Sequence, residues 1–112
     1  MVSESARFLE MYRKMVTIRT FDQKVVEEFH AGNIPGVVHS YIGEEAVAVG
    51  VCSALRNSDR IASTHRGHGH TIAKGADIRL MMAELFGRSN GYCPGSGGLI
   101  RAFTGKRINC QP

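Results

Sequence analysis

Between Ser3 and Gly32, in "SESARFLEMYRKMVTIRTFDQKVVEEFHAG", apolar residues recur mostly every three or four positions: Phe8, Met11, Met15, Ile18, Val25 and Phe29. That spacing draws one stripe along a long amphipathic helix. Ser3 and Ser5 are candidate N-caps, Glu4 suits the positive end of the helix dipole, and Gly32 offers a stop. A stripe of methionine and aromatic residues reads as a packing face, and a helix of this length needs a surface to pack against.

A turn at Pro35-Gly36 and a short extended piece, "VVHSYIG", lead to a second helix from Glu44 to Leu55. Glu44 and Glu45 fall in its first turn, where negative charge is favoured. Adjacent positions point in different directions, so the two carboxylates do not form a paired acid/base site. Past them the helix is apolar on nearly every face and carries small residues, Ala46, Ala48, Gly50, Ser53 and Ala54. It is expected to be buried on most sides. "RIAST" reads as a short strand, followed by the loop "STHRGHGHTIAKG". "ADIRLMMAELFG" is a clear helix with Asp77 as N-cap and Gly87 past its end. From Gly87 to Gly98, five glycines and a proline in twelve residues exclude regular structure. The last stretch, "LIRAFTGKRINCQP", has no clear period.

Composition narrows the class. The chain has 112 residues, 43% hydrophobic and 21% charged, which suits one small globular domain or a piece of a larger one. No apolar run approaches a membrane span, and no membrane association is expected. Cys52, Cys93 and Cys110 lack CxxC spacing and point to reduced thiols in a cytoplasm. The net charge of +4 is spread along the chain without a basic block or interleaved aromatics, so a nucleic-acid partner is not expected.

The loop Ser63 to Gly75 concentrates the candidate chemistry, with His65, Arg66, His68 and His70 set among glycines. Gly67 and Gly69 argue against a comfortable helix. In an extended backbone His68 and His70 share a face and His65 lies opposite. A metal site needs three or four converging ligands. No carboxylate or cysteine is near in sequence, and Arg66 repels a cation, so zinc or nickel binding by the three histidines is a minor reading. An anion cradle fits better. Glycines let backbone N–H groups approach a phosphate, and an arginine offers a fork of donors matched to its oxygens. A solvated connection with no chemical role is the plain alternative. His39, just ahead of the second helix, reads from spacing alone as a structural histidine.

Taken in order, "MYRKMVTIRTFDQKV", "IPGVVHSYIGEEAVAVGVCSAL", "DRIASTHRGHGHTIAKG" and "MMAELFGRSNGYCPGSGG" resemble the N-terminal part of the alpha subunit of thiamine-diphosphate-dependent 2-oxo acid dehydrogenase E1 components. That family includes pyruvate, branched-chain and acetoin dehydrogenases. The resemblance covers roughly Ala6 to Gly98 and is nearest to the acetoin and pyruvate types. It implies an α/β fold: the helix-rich front of a doubly wound thiamine-diphosphate-binding domain over residues 1–98. It also implies thiamine diphosphate and Mg as cofactors, an E1 beta subunit and a lipoyl-E2 as partners, and a small 2-oxo acid or acetoin as substrate.

By resemblance, His65-Arg66 is the pair that meets the cofactor diphosphate. His39 belongs to the "H-x-Y-x-G-[QE]-E" segment and faces the entrance of the active site, and His68 is a loop histidine near the substrate channel. The resemblance thus turns His39 and His68 into catalytic candidates. The family continues "G-K-G-G-S-M-H" where this chain has Gly95-Ser96-Gly97-Gly98-Leu99-Ile100-Arg101, and the metal-holding "GDG…N" signature is absent. The chain is therefore expected to be a truncated alpha subunit with a divergent tail at 99–112, inactive alone. The other reading is a non-catalytic helical fragment that docks its long apolar helix on a beta subunit.

Overall fold

Ser3 starts the longest element: its hydroxyl accepts the amide of Ala6 at 3.2 Å and caps α1, Glu4–His30. The computed structural model describes residues 1–95 and the backbone of 102–104 and 107–109. The cap expected at Ser3 is present, and the chain leaves α1 through Gly32 at φ 81, a conformation open to glycine.

The stripe on α1 is buried only along part of its length. Ile18, Phe21 and Val25 are in the core, and Met11, Met15 and Phe29 pack against it, but Phe8 is 58% exposed. The second helix, α2, is Glu45–Ser53, flanked by Glu44 and Ala54. It buries Ala48, Val49 and Cys52 while Val47 and Val51 remain exposed. Burial on most sides, expected from its composition, is therefore not met: α2 turns one face to the core.

A two-residue strand β1, Ile61–Ala62, precedes α3, His68–Ala73, and α4, Ile78–Leu85. β2, Ala102–Thr104, and β3, Arg107–Asn109, complete an antiparallel sheet in the order β1-β2-β3, with Ile61 opposite Phe103. The architecture among the described residues is helix-rich, with α1, α2 and α3 packed on one another around Ile18, Val25, Tyr41, Val49 and Ile72. The boundary drawn at Gly98, and most of the tail beyond it, lie outside the described residues. No helix among the described residues is long and apolar enough to cross a membrane.

α3 corrects the sequence reading, which made this segment a glycine-opened extended loop. Gly69 stands inside the helix because the Tyr41 ring lies against its backbone; a Cβ there would come within 2.3 Å of Tyr41 Cδ1. Thr71 Oγ1 donates to the carbonyl of Gly67 at 2.8 Å, and Lys14 Nζ donates to the Ala73 carbonyl at 3.2 Å. Packing against Tyr41 and the long-range hydrogen bond from Lys14, more than local propensity, hold this short helix.

α4 is capped as expected, Asp77 accepting from the Arg79 amide at 2.8 Å. From α4 the buried Glu84 organises the irregular stretch that follows. Its Oε2 accepts the amides of Cys93 at 2.8 Å and Gly95 at 3.0 Å. A Cβ at Gly91 would sit 2.5 Å from the same oxygen, so the loop closes over Glu84 only with glycine there. Cys52 is a buried free thiol, but Cys93 is disulfide-bonded, contrary to the expectation of reduced cysteines throughout.

Two glycine substitutions separate these effects. Gly69→Ala forces Tyr41 off α3 and should lower the unfolding free energy by about 1–3 kcal/mol. Gly50, inside α2, has open space where its Cβ would lie. Gly50→Ala should raise stability by about 0.5–1 kcal/mol. Urea unfolding followed by circular dichroism reads both; equal effects of the same sign would contradict the packing assigned to Tyr41.

Candidate functional site

Asp22 lies on the buried face of α1, between Ile18 and Val25, and has no solvent exposure. A buried carboxylate is tolerated only when its oxygens are met by donors. Here Oδ2 accepts the backbone N–H of Tyr41, and Oδ1 faces Nδ1 of His68 at 2.8 Å. One carboxylate thus joins the middle of α1, the segment ahead of α2 and the first residue of α3. Phe21 meets the His68 ring edge-on, with centroids 5.8 Å apart and planes at 87°.

One turn earlier, Arg19 holds the other side of the same segment. Its guanidinium pairs with Glu45, which is itself buried and accepts the Gly43 N–H at 2.9 Å. The hydrogen bond from Arg19 holds the Glu45 carboxyl below the usual carboxylate range, and Glu45 in turn raises Arg19. Glu45 therefore clasps α2 to α1, a role beyond favouring a helix start. Glu44 takes no part in that clasp and stands as the residue before α2.

Between these two anchors the segment presents His39, Ser40 and Tyr41 to the loop ahead of α3. Arg66 donates from Nη1 to the carbonyl of Ser40, and the rings of His39 and His65 meet edge to face at 5.0 Å. Both histidines are exposed, whereas Arg66 is half-buried. Arg66 has no carboxylate within ion-pair distance among the described residues, unlike Arg19, Arg56 and Arg79. A guanidinium held by a neutral carbonyl keeps its full charge and most of its donors for another acceptor.

The four residues singled out from the sequence, His39, His65, Arg66 and His68, are thus gathered where two loops and the start of α3 meet. His70 goes elsewhere. The helical turn of α3 carries it away from His68, and its ring stacks edge-on against Tyr41 at 5.2 Å. Its Nδ1 is buried without a partner among the described residues. Tyr41 is nearly fully buried, and that burial, foremost, pushes its phenol up.

His65, His68 and His70 therefore do not converge, and no group of three or more potential metal ligands occurs among the described residues. The arrangement suits an anion approached from solvent, with Arg66 as the charge and imidazole N–H groups beside it. Sequence reasoning missed Asp22 and the clasp made by Glu45. The available signal for Asp22 was its phase: the apolar stripe leaves a gap between Ile18 and Val25, and a carboxylate occupies it.

The family model of the dehydrogenase E1 component matches residues 13–109. The alpha subunit of acetoin:2,6-dichlorophenolindophenol oxidoreductase from Bacillus subtilis is 61% identical over 90 residues, covering 80% of this chain and 27% of that protein. The protein of the same name from Cupriavidus necator is 56% identical over 90 residues, with the same coverage. The pyruvate dehydrogenase E1 component subunit alpha from Zymomonas mobilis is 41% identical over 103 residues, covering 91% of this chain and 29% of that protein. The chain spans between a quarter and a third of the length of these curated relatives.

The Arg19–Glu45 clasp carries a pH dependence. Glu45 is depressed in the folded chain, so its stabilisation is present above the unfolded carboxylate value, about 4.3. It is lost as pH falls through the lower folded value. Urea midpoints measured from pH 7 to 3 should fall at the acid end, and Glu45→Gln should make that fall shallower. An acid slope identical in the two proteins would contradict the clasp.

Proposed function

The chain belongs to the dehydrogenase E1 component family, and on that premise we propose that it forms one arm of a thiamine diphosphate site in an alpha-type subunit. The whole enzyme, on this reading, decarboxylates a pyruvate-type 2-oxo acid or cleaves acetoin and passes the acyl unit to a lipoyl group on E2. Relatives named as acetoin oxidoreductase and pyruvate dehydrogenase alpha subunits support that substrate class. The α1–α3 helices would be part of the family's doubly wound domain. The boundary at Gly98 belongs to the same proposal, alongside a family match that continues to residue 109.

The observation that carries the reading is the state of Arg66: half-buried, held by the Ser40 carbonyl, and without a carboxylate partner among the described residues. A diphosphate fits such a donor set, since charge-assisted hydrogen bonds to an anion are the strong ones. Arg66 would grip a phosphate oxygen, with His65 beside it. His39, packed against His65, would contribute a polar group at the solvent side, and His68 would handle a proton at Nε2. Thiamine diphosphate, when bound, supplies the electron sink for breaking the bond next to the substrate carbonyl. The described residues do not fit a magnesium ion, because no group of three ligands stands among them. Magnesium belongs to this proposal only through the assembled enzyme, and no step is assigned to it.

A second reading has its own observation. Leu9, Tyr12 and Val16 on α1 are exposed, and with Ile78 and Met82 of α4 they line an open groove of about 740 Å³. Relatives named as alpha subunits imply a complementary subunit. A beta subunit of the same enzyme is the occupant we assign to this face.

Two measurements test these readings. Removing a hydrogen bond to a charged group costs about 1.5–3 kcal/mol, so Arg66→Ala should weaken thiamine diphosphate binding by about 10- to 100-fold, with Arg66→Lys intermediate. Titration of the chain with thiamine diphosphate and magnesium, followed by calorimetry and amide chemical shifts, reads the effect. Binding unchanged in Arg66→Ala would defeat the cofactor reading. For the groove, Tyr12→Glu should abolish co-purification with a co-expressed beta subunit; undiminished capture would remove α1 from that interface.

A further inference from the structure

We propose that Asp22 is a positioning residue: it holds His68 as the Nδ1–H tautomer and leaves Nε2 as the unprotonated, accepting nitrogen at the candidate site. The inference deepens the reading above, since a proton-handling His68 belongs to that reading, but the tautomer itself does not depend on it.

An ionised carboxylate only accepts, and a backbone N–H only donates. The Tyr41 N–H therefore commits Oδ2 of Asp22, and Oδ1 needs a donor of its own. His68 Nδ1 stands at 2.8 Å from Oδ1, a charge-assisted hydrogen-bond distance. Asp22 has no solvent exposure, so no water replaces that donor without opening the packing of α1. The proton consequently belongs on Nδ1 in the neutral ring. The edge of Phe21 stacked against the imidazole restrains its rotation. Nε2 has no partner among the described residues, and the His68 side chain retains 16% exposure.

The same carboxylate also fixes where the ring stands relative to the rest of the site. Because Tyr41 follows Ser40, whose carbonyl receives Arg66, a single buried group registers His68 and the arginine to one short segment. Carboxylate–imidazole pairs set the tautomer of a histidine in this way whenever the other nitrogen must accept a proton.

The test is a long-range nitrogen–proton correlation spectrum of the histidine-labelled chain at alkaline pH. His68 is expected wholly as the Nδ1–H form. In Asp22→Asn the carboxamide oxygen still serves the Tyr41 amide, and its NH₂ turns toward Nδ1, so His68 should switch to the Nε2–H form. A wild-type His68 found as Nε2–H, or as the rapidly exchanging mixture of a free imidazole, overturns the proposal, and the wild-type spectrum decides this even where the variant fails to fold. A locked tautomer together with thiamine diphosphate binding unchanged in Arg66→Ala would keep the role of Asp22 and remove the cofactor reading. A tautomer that does not switch in a folded Asp22→Asn would place the lock elsewhere and also overturn the proposal.

Discussion

A carboxylate sealed from water has to be saturated by the protein, and the placement of Asp22 on the inner face of α1 imposes that requirement on everything around it. Its two oxygens draw in the Tyr41 amide from an otherwise irregular segment and the first side chain of α3. Leaving either donor unmade would cost about 1–3 kcal/mol, a large share of the stability of a small domain. The segment from His39 to Gly43 is consequently held in one place, although it has no secondary structure of its own.

Arg19 acts one turn away on the same helix. Through Glu45 it fixes the Gly43 end of the segment and the start of α2, so α1 works as a spine to which the site is pinned at two points. The hydrophobic contacts of Ile18 and Val25 flank those polar anchors along α1. Packing and polar saturation are therefore not separate layers here. The polar contacts decide the register in which the apolar stripe meets α2 and α3, and the Tyr41 ring over Gly69 closes the arrangement from the other side.

Much of the helical framework is legible in the sequence. α1 and α4 announce themselves through a clear period and capping residues, and the structure begins them at Ser3 and Asp77 as those signals require. α2 was visible, but its exposed Val47 and Val51 were not, because composition cannot say which apolar face meets a neighbour within the chain. α3 was hidden for a physical reason: glycine and histidine are poor local helix formers, and the element exists through the Tyr41 ring and distant hydrogen bonds to Lys14 and Asp22. Arg66 is a candidate by the logic of an anion cradle, and His39 and His68 are candidates through the family resemblance alone. Asp22 escaped because a charged residue on a helix is ordinarily read as facing water.

The central claim is that a buried carboxylate, not a turn or a strand, immobilises the segment that carries His39 and Ser40. Residue-resolved native-state hydrogen exchange tests it most directly. The account predicts that the Tyr41 amide exchanges as slowly as the core amides of α1 around Ile18 and Val25, while its loop neighbours at 37–40 exchange quickly. A Tyr41 amide exchanging at the rate of those neighbours would contradict it.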